Sequence, residues 1–198
     1  MDFQEVVRRR RMVRNYDASR PVPAPVRDRI LANALRAPSA GFTQGWAFLV
    51  LESAADRSLF WESSTPPGAT SPWLESLQRA PLIVVPLSHR DAYLDRYAEP
   101  DKGWTDRDES RWTVPYWHID TGFATLLMLL TAVDESLGAL FFGVPPERVP
   151  ILRDAFGVPP EYAPIGAVSI GYPEPDRRSP SLKRGRRPVE DVVHHGHW

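Results

Sequence analysis

Val114-Pro115-Tyr116-Trp117-His118-Ile119-Asp120-Thr121-Gly122-Phe123-Ala124-Thr125-Leu126-Leu127-Met128-Leu129-Leu130-Thr131-Ala132-Val133-Asp134-Glu135-Ser136-Leu137-Gly138 is the stretch on which the fold turns. Trp117, Asp120, Phe123, Ala124, Leu127, Leu130 and Thr131 recur at three- and four-residue intervals, the spacing of one helical face. The centre of the stretch is apolar nearly all round, so it reads as a core helix and not a surface one. Gly138 reads as its end.

Around this helix the apolar runs are short. Trp46–Leu51, Pro81–Leu87, Ala139–Gly143 and Pro164–Tyr172 read as buried strands. Residues 2–9, a segment from Pro25 to just before Pro38, 54–62, 73–79 and Pro145–Phe156 read as shorter helices. The residue before a proline is pushed out of the helical region, which ends the second of them. One long core helix among four short strands suits an α+β fold better than a doubly wound sheet. The architecture expected is three layers, α/β/α, with a small mixed or antiparallel sheet around the helix. Residues 88–114 are charged and aromatic without a strong period, and read as a lid or arm. With no internal repeat and no linker, residues 1–198 read as a single domain with 177–198 as a C-terminal extension.

Composition narrows the function. The chain has no cysteine, which removes thiol nucleophiles, iron–sulfur clusters, thiolate zinc and disulfides. Formal net charge is -1, which argues against a general nucleic-acid binder. Met1-Asp2-Phe3-Gln4-Glu5 lacks the apolar run of a signal peptide, and Phe123–Val133 is too short to span a bilayer. A cytoplasmic protein with no membrane partner is the expectation. Charge is nevertheless segregated. Arg8, Arg9, Arg10, Arg11 and Arg14 at one end, with Arg177, Arg178, Lys183, Arg184, Arg186 and Arg187 at the other, are eleven of the 24 basic residues. The rest of the chain holds 13 basic against 25 acidic residues, a net of -12. Two readings of the first cluster stand: a solvated basic segment or nucleic-acid arm, or half of an anion site that the second cluster completes.

Several ordered features together resemble the flavin-dependent nitroreductase family over nearly the whole chain. They are Arg9-Arg10-Arg11-Met12-Val13-Arg14-Asn15-Tyr16-Asp17, the loop Pro38-Ser39-Ala40 through Gln44 and Trp46, Asp120-Thr121-Gly122 in the long helix, Phe142-Gly143 after a strand, and Arg184-Gly185-Arg186-Arg187-Pro188-Val189-Glu190. The resemblance implies a nitroreductase-like fold and a bound flavin mononucleotide (FMN). It implies that Arg10 and Arg11, with Arg184 and Arg186, surround the phosphate, for which arginine's fixed fork of donors is suited. Met12 belongs to the same cofactor-binding run. Arg14 lies at the pyrimidine edge, where a cation stabilises reduced flavin. Phe141, Phe142 and Gly143 bring backbone groups to the middle of the ring. The family's members are intertwined homodimers, so Pro38, Ser39 and Ala40 touch the flavin of the partner. No side chain is implied as catalytic, because the flavin carries the chemistry, and no metal is implied.

The implied activity is an NAD(P)H-dependent flavin oxidoreductase. It passes hydride from NAD(P)H through flavin to nitroaromatic, quinone or related planar small-molecule acceptors, one cleft serving both half-reactions in ping-pong order. The alternatives are a flavin-dependent dehydrogenase or oxidase tailoring a small metabolite or peptide, and a non-catalytic flavin- or deazaflavin-binding protein. Trp104, Trp112, Tyr116 and Phe42 are candidate walls over the ring. Structural roles stand beside these: Ser39 capping a turn, Gln44 satisfying backbone groups, Asp120 capping the long helix, Phe141-Phe142 packing the core. His194-His195-Gly196-His197 lacks the carboxylate pattern of a metal site. The chain departs from the family at Met12, where serine is usual, at Phe42 for asparagine and at Gly45 for proline. Trp73 and Ser76 stand where polar contacts to the ring's far edge are expected.

Overall fold

The computed structural model describes residues 1–176 and 179–198; Arg177 and Arg178 of the second basic cluster lie outside the described residues. In chain order the elements are α1 (Phe3–Arg9), α2 (Ala24–Ala34), β1 (Trp46–Leu51), α3 (Ala54–Ser64), α4 (Pro72–Gln78), β2 (Leu82–His89) and α5 (Arg90–Ala98). These are followed by α6 (Tyr116–Asp134), β3 (Gly138–Phe142), α7 (Val149–Ala155), β4 (Tyr162–Pro164) and β5 (Ala167–Gly171). The sheet runs β1-β2-β5-β3, with β4 also pairing β2, and every ladder is antiparallel.

Side chains of a strand alternate between faces, and here both faces are covered. On β2, Leu82 and Val84 point to one side, where they meet Ala124, Met128 and Ala132 of α6 and Ile30 and Ala34 of α2. Ile83, Val85 and Leu87 point to the other, against Phe60 and Trp61 of α3, Leu77 of α4 and Leu152 of α7. That arrangement makes the three layers and explains why β2 reads as an unbroken apolar run. Each fully buried aliphatic chain contributes about 1.5–3 kcal/mol. Among the described residues no helix is long and apolar enough to cross a membrane.

The structure corrects four expectations. The long helix ends at Asp134, four residues before Gly138. Ser136 takes the left-handed position at φ 61°. Its N–H donates to Val133 O at 3.0 Å and that of Leu137 to Ala132 O at 2.7 Å, which satisfies the last carbonyls. Gly138 instead begins β3, where a Cβ would lie 2.7 Å from the Val13 side chain. The expected strand Pro164–Tyr172 is two strands, broken at Gly166, whose φ is 149° and whose Cβ would lie 2.6 Å from the Phe141 ring. Residues 88–114 are not featureless: β2 extends to His89, α5 follows directly, and its Tyr93 and Leu94 are buried. Asp120 does not cap the long helix, as described below.

Candidate functional site

The arginine run leaves α1 as an extended chain stitched to the sheet edge. Arg10 is the C-cap, its N–H bonded to Val6 O. Met12 bridges Ala139, and Val13 N–H donates to Ala139 O at 3.0 Å. Val13 and Tyr16 are buried. The Tyr16 hydroxyl meets Val13 O at 2.7 Å and Ser169 Oγ at 2.9 Å, and burial holds its pKa well above the usual phenol range. Residues 172–176 run beside this segment: Asp17 N–H donates to Tyr172 O, Glu174 N–H to Asn15 O and Asn15 Nδ2 to Pro175 O. The pairing delivers Asp176, whose side chain is 8% exposed, to the arginines. Arg14 N–H donates to Asp176 Oδ2 at 2.8 Å, and the Arg11 guanidinium lies 3.9 Å from the same oxygen. Arg14 Nη1 donates to Met12 O. Arg9 pairs with Glu5 at 3.2 Å, as ordinary surface charge. Arg10 is half-buried and has no ion pair among the described residues.

Arg184 and Arg186 lie in a tail, residues 180–198, that is exposed throughout. Among the described residues no hydrogen bond or ion pair joins that tail to the first cluster. The group that does meet Arg11 and Arg14 is Asp176, a residue the sequence reading missed. Its only signal is its position as the acid immediately before the second basic cluster.

Beside Arg14 a cleft of about 540 Å³ is walled by Arg14, Ser71, Trp73, Ser76 and Asp176. It adjoins a pocket of about 210 Å³ that shares Ser71 and Trp73 and continues to Trp61, Phe142 and Gly143. Local sequence sets this wall. Ser71 caps α4 by accepting from Leu74 N–H at 3.1 Å, and Pro72 occupies the first helical turn. Phe142 stacks on Trp61 with ring centroids 5.6 Å apart and planes 9° apart, so its ring is packing, as is Phe141 on the α6 side. A Cβ built on Gly143 meets nothing within 4 Å. Its backbone therefore faces open space at the end of the pocket.

The Pro38–Gln44 loop lines neither part of this cleft. Asp120, 2% exposed in the second turn of α6, fixes it. Its Oδ2 accepts from Ala40 N–H at 2.8 Å and from the Tyr93 hydroxyl at 2.8 Å. Burial, reinforced by that carboxylate, raises the Tyr93 pKa well above the usual phenol range. Ser39 does cap the turn: its Oγ accepts from Gln44 N–H at 2.9 Å. Of the four candidate walls, Trp104 and Trp112 are half-buried in an aromatic cluster with Tyr97, at 4.9 and 4.4 Å between centroids. Tyr116 and Phe42 are exposed. Among the described residues one Ser–His contact exists, Ser88 Oγ to His118 Nδ1 at 2.9 Å, but Ser88 is buried and also bonds Ala163 O, so it offers no nucleophile.

The sequence model of the nitroreductase family matches residues 7–172. An Archaeoglobus fulgidus protein assigned as an NADH dehydrogenase/NAD(P)H nitroreductase is 27% identical over 170 residues, 85% of this chain and 83% of the relative. A Methanothermobacter thermautotrophicus protein assigned the same way is 27% identical over 176 residues, 87% of this chain and 78% of the relative. The fold is shared with a nitroreductase family protein from Clostridium difficile 630, with a TM-score of 0.73 at 22% identity over 100% of both chains. It is also shared with a protein from Exiguobacterium sibiricum 255-15, assigned as a nitroreductase and solved in complex with FMN. There the TM-score is 0.75 at 21% identity, over 98% of this chain and 97% of that one. Matched by its family over most of its length, the chain belongs to the nitroreductase family, whose general activity is FMN-dependent oxidoreduction.

Proposed function

We propose that the protein is an FMN-containing, NAD(P)H-dependent oxidoreductase that reduces nitroaromatics, quinones or related planar acceptors. The observation that carries this reading is the pair of adjoining clefts running from Arg14 past Ser71 and Trp73 to the open backbone of Gly143. A planar ring with a polar edge fits that space: a cation and hydroxyls at one end, apolar walls in the middle, and a glycine backbone that a ligand can approach closely. Bound FMN would supply the hydride relay between nicotinamide and acceptor. Arg14 would hold the pyrimidine edge and stabilise negative charge there, Ser71 and Ser76 would offer hydroxyls, and Trp61 and Phe142 would exclude water behind the ring. Arg10 and Arg11 would take the phosphate.

Among the described residues nothing in 180–198 bonds Arg10 or Arg11, which favours a homodimer in which the partner's tail brings Arg184 and Arg186. The outward face of α6 supports this. Tyr116, Phe123 and Leu126 are exposed there, with Phe3 and Val7 exposed on neighbouring α1. A central helix with such an apolar outer stripe suits a second copy. The same dimer would bring Pro38, Ser39 and Ala40 to the partner's flavin. An enzyme using reduced nicotinamide belongs in the cytoplasm.

The visible spectrum of the purified protein tests the reading. Oxidised-flavin absorbance that bleaches on anaerobic addition of NADH or NADPH is expected. Replacing Arg10 and Arg186 with alanine together is expected to lower flavin content while leaving a folded dimer. A colourless protein that takes up no added FMN would refute the assignment.

A further inference from the structure

Residues 93–117 gather their aromatic rings into one cluster beside the buried Asp120. Between ring centroids, Tyr97 lies 4.9 Å from Trp104 and 4.4 Å from Trp112, and Trp104 lies 5.5 Å from Trp112. Trp112 in turn lies 6.0 Å from Tyr93. Trp104 and Trp112 are half-buried and Tyr93 is fully buried, so the rings lead from the surface inward. Packing alone does not account for two features. The Trp112 indole N–H is buried with no acceptor among the described residues. A stranded donor is destabilising, and a phenylalanine would pack without it. Tyr93, at the inner end, does have an acceptor: its hydroxyl donates to Asp120 Oδ2 at 2.8 Å. A buried unsatisfied polar group in an oxidoreductase is a candidate for a redox role.

The two features set a direction for positive charge. An indole that loses an electron becomes acidic, and Trp112 has no group to take its proton, so a hole on Trp112 is passed on. A phenol that loses an electron becomes a strong acid, and Tyr93 has a carboxylate in contact to receive the proton. Burial, reinforced by that carboxylate, keeps Tyr93 protonated, so its electron and its proton leave together. The outer rings are biased the other way. Lys102 Nζ lies 5.4 Å over Tyr97, and the Arg111 guanidinium, which also pairs with Asp106, lies 5.6 Å over Trp104. A cation beside a ring disfavours a hole on it, whereas the Asp120 carboxylate favours one on Tyr93.

We propose that the cluster is a one-electron relay for small oxidising radicals of the azidyl or carbonate-radical class, with Tyr93 as the terminal electron donor. The radical takes an electron from Trp104 at the surface and becomes azide or carbonate. Trp112 returns an electron to Trp104, and Tyr93 returns one to Trp112. The Tyr93 hydroxyl proton crosses to Asp120 Oδ2, leaving a neutral tyrosyl radical and a protonated carboxyl. The net change is one electron from Tyr93 to the radical and one proton from Tyr93 to Asp120, and none of it requires the flavin.

Pulse radiolysis of the full chain in azide solution tests the relay, with any flavin oxidised so that it donates no electron. The parent for comparison carries Trp73→Phe and Trp198→Phe, which removes the two exposed tryptophans outside the cluster. Azidyl oxidises tryptophan first, and the broad visible band of the tryptophan radical is expected to give way to the sharp near-ultraviolet band of a tyrosyl radical. Tyr93→Phe is expected to lose most of the tyrosyl band and Trp112→Phe the fast phase of its rise, while Tyr97→Phe keeps both. Asp120→Asn keeps an acceptor oxygen but not a base, and is expected to slow the rise about tenfold, the scale of one hydrogen bond to a charged group. Circular dichroism shows which variants are folded; if Asp120→Asn is not, the two ring variants decide. A full tyrosyl band in Tyr93→Phe, or an unslowed rise in Trp112→Phe or in folded Asp120→Asn, would overturn the proposal and leave the cluster as packing.

Discussion

The backbone N–H of Arg14 donates to Asp176 Oδ2 at 2.8 Å, joining residues 162 positions apart. This bond ties the arginine run to the strand-like segment that leads into the second basic cluster. The carboxylate is nearly buried, so truncating it leaves an N–H without an acceptor. Hydrogen bonds to charged groups contribute about 1.5–3 kcal/mol. Asp176→Ala is expected to lose about 2 kcal/mol in urea unfolding, with the slope against denaturant unchanged. Asp176→Asn keeps an acceptor oxygen and is expected to lose about half as much. Equal losses in the two variants would mean that the Arg11 ion pair at 3.9 Å, and not the Arg14 bond, is what matters.

Asp120 bonds both Ala40 N–H and the Tyr93 hydroxyl, so the three groups act as one unit. Asp120→Ala leaves the buried Tyr93 hydroxyl and the half-buried Ala40 N–H unsatisfied and is expected to cost about 2–4 kcal/mol. Tyr93→Phe alone removes one donor and is expected to cost about 1 kcal/mol. In the double variant Tyr93 no longer strands a hydroxyl, so the losses are expected to fall short of additivity by about 1 kcal/mol. Additive losses in the thermodynamic cycle would show that the Tyr93 bond does not couple to Asp120.

Two positions at the turn from α6 into β3 are expected to respond with opposite sign. Ser136 sits at φ 61°, where a Cβ is unfavourable, so Ser136→Gly is expected to stabilise by about 1 kcal/mol. Gly138→Ala would drive a Cβ to 2.7 Å from Val13, and overpacking of this kind costs about 1–3 kcal/mol. Thermal unfolding of the two single variants measures both. Shifts of the same sign would contradict the backbone assignment of this turn.

The sheet and the core helix were legible because their signals are local. Trp46–Leu51 and Pro81–Leu87 are unbroken apolar runs, and a strand covered on both faces has no polar side to show. The spacing in α6 marks the helix but only part of its core face: Trp117, Asp120, Ala124 and Thr131 are buried, Phe123 is exposed, and Met128 and Ala132, outside the face read from spacing, are buried. What was not legible depends on distant contacts. Ile165-Gly166-Ala167 reads as strand interior, and only the Phe141 ring pressed against Gly166 shows why it breaks there. Arg90–Ala98 is charged at four of nine positions, which hides a helix anchored by Tyr93 and Leu94. Asp120 was assigned to the right helix and the wrong role, since its partners come from residue 40 and residue 93. Asp176 could be linked to Arg14 only once residues 172–176 were seen beside 13–17. The arginine run was readable as charge; its partners were not.

Gly143 offers a test that separates ligand approach from stability. It follows β3, and a Cβ there meets no atom within 4 Å. Its φ is not in the left-handed region, unlike that of Gly157 or Gly166. Gly143→Ala is therefore expected to leave unfolding within about 0.5 kcal/mol of the parent, as for an unstrained surface change. If FMN lies against this backbone, the added methyl occupies the space that the ring needs, and a ligand ring held about 1 Å away from its donors loses most of those contacts. FMN affinity, measured by quenching of flavin fluorescence on titration into flavin-stripped protein, is expected to fall at least tenfold. Gly157→Ala is the matched control for binding: its Cβ also meets nothing within 4 Å, but the residue follows α7, outside the cleft. Because Gly157 sits at φ 60°, that control is expected to lose about 1 kcal/mol locally while holding FMN as the parent does. Undiminished FMN binding in Gly143→Ala, with the fold intact, would move the ring away from the Trp61–Phe142 end of the pocket and leave only the Arg14 end to hold it.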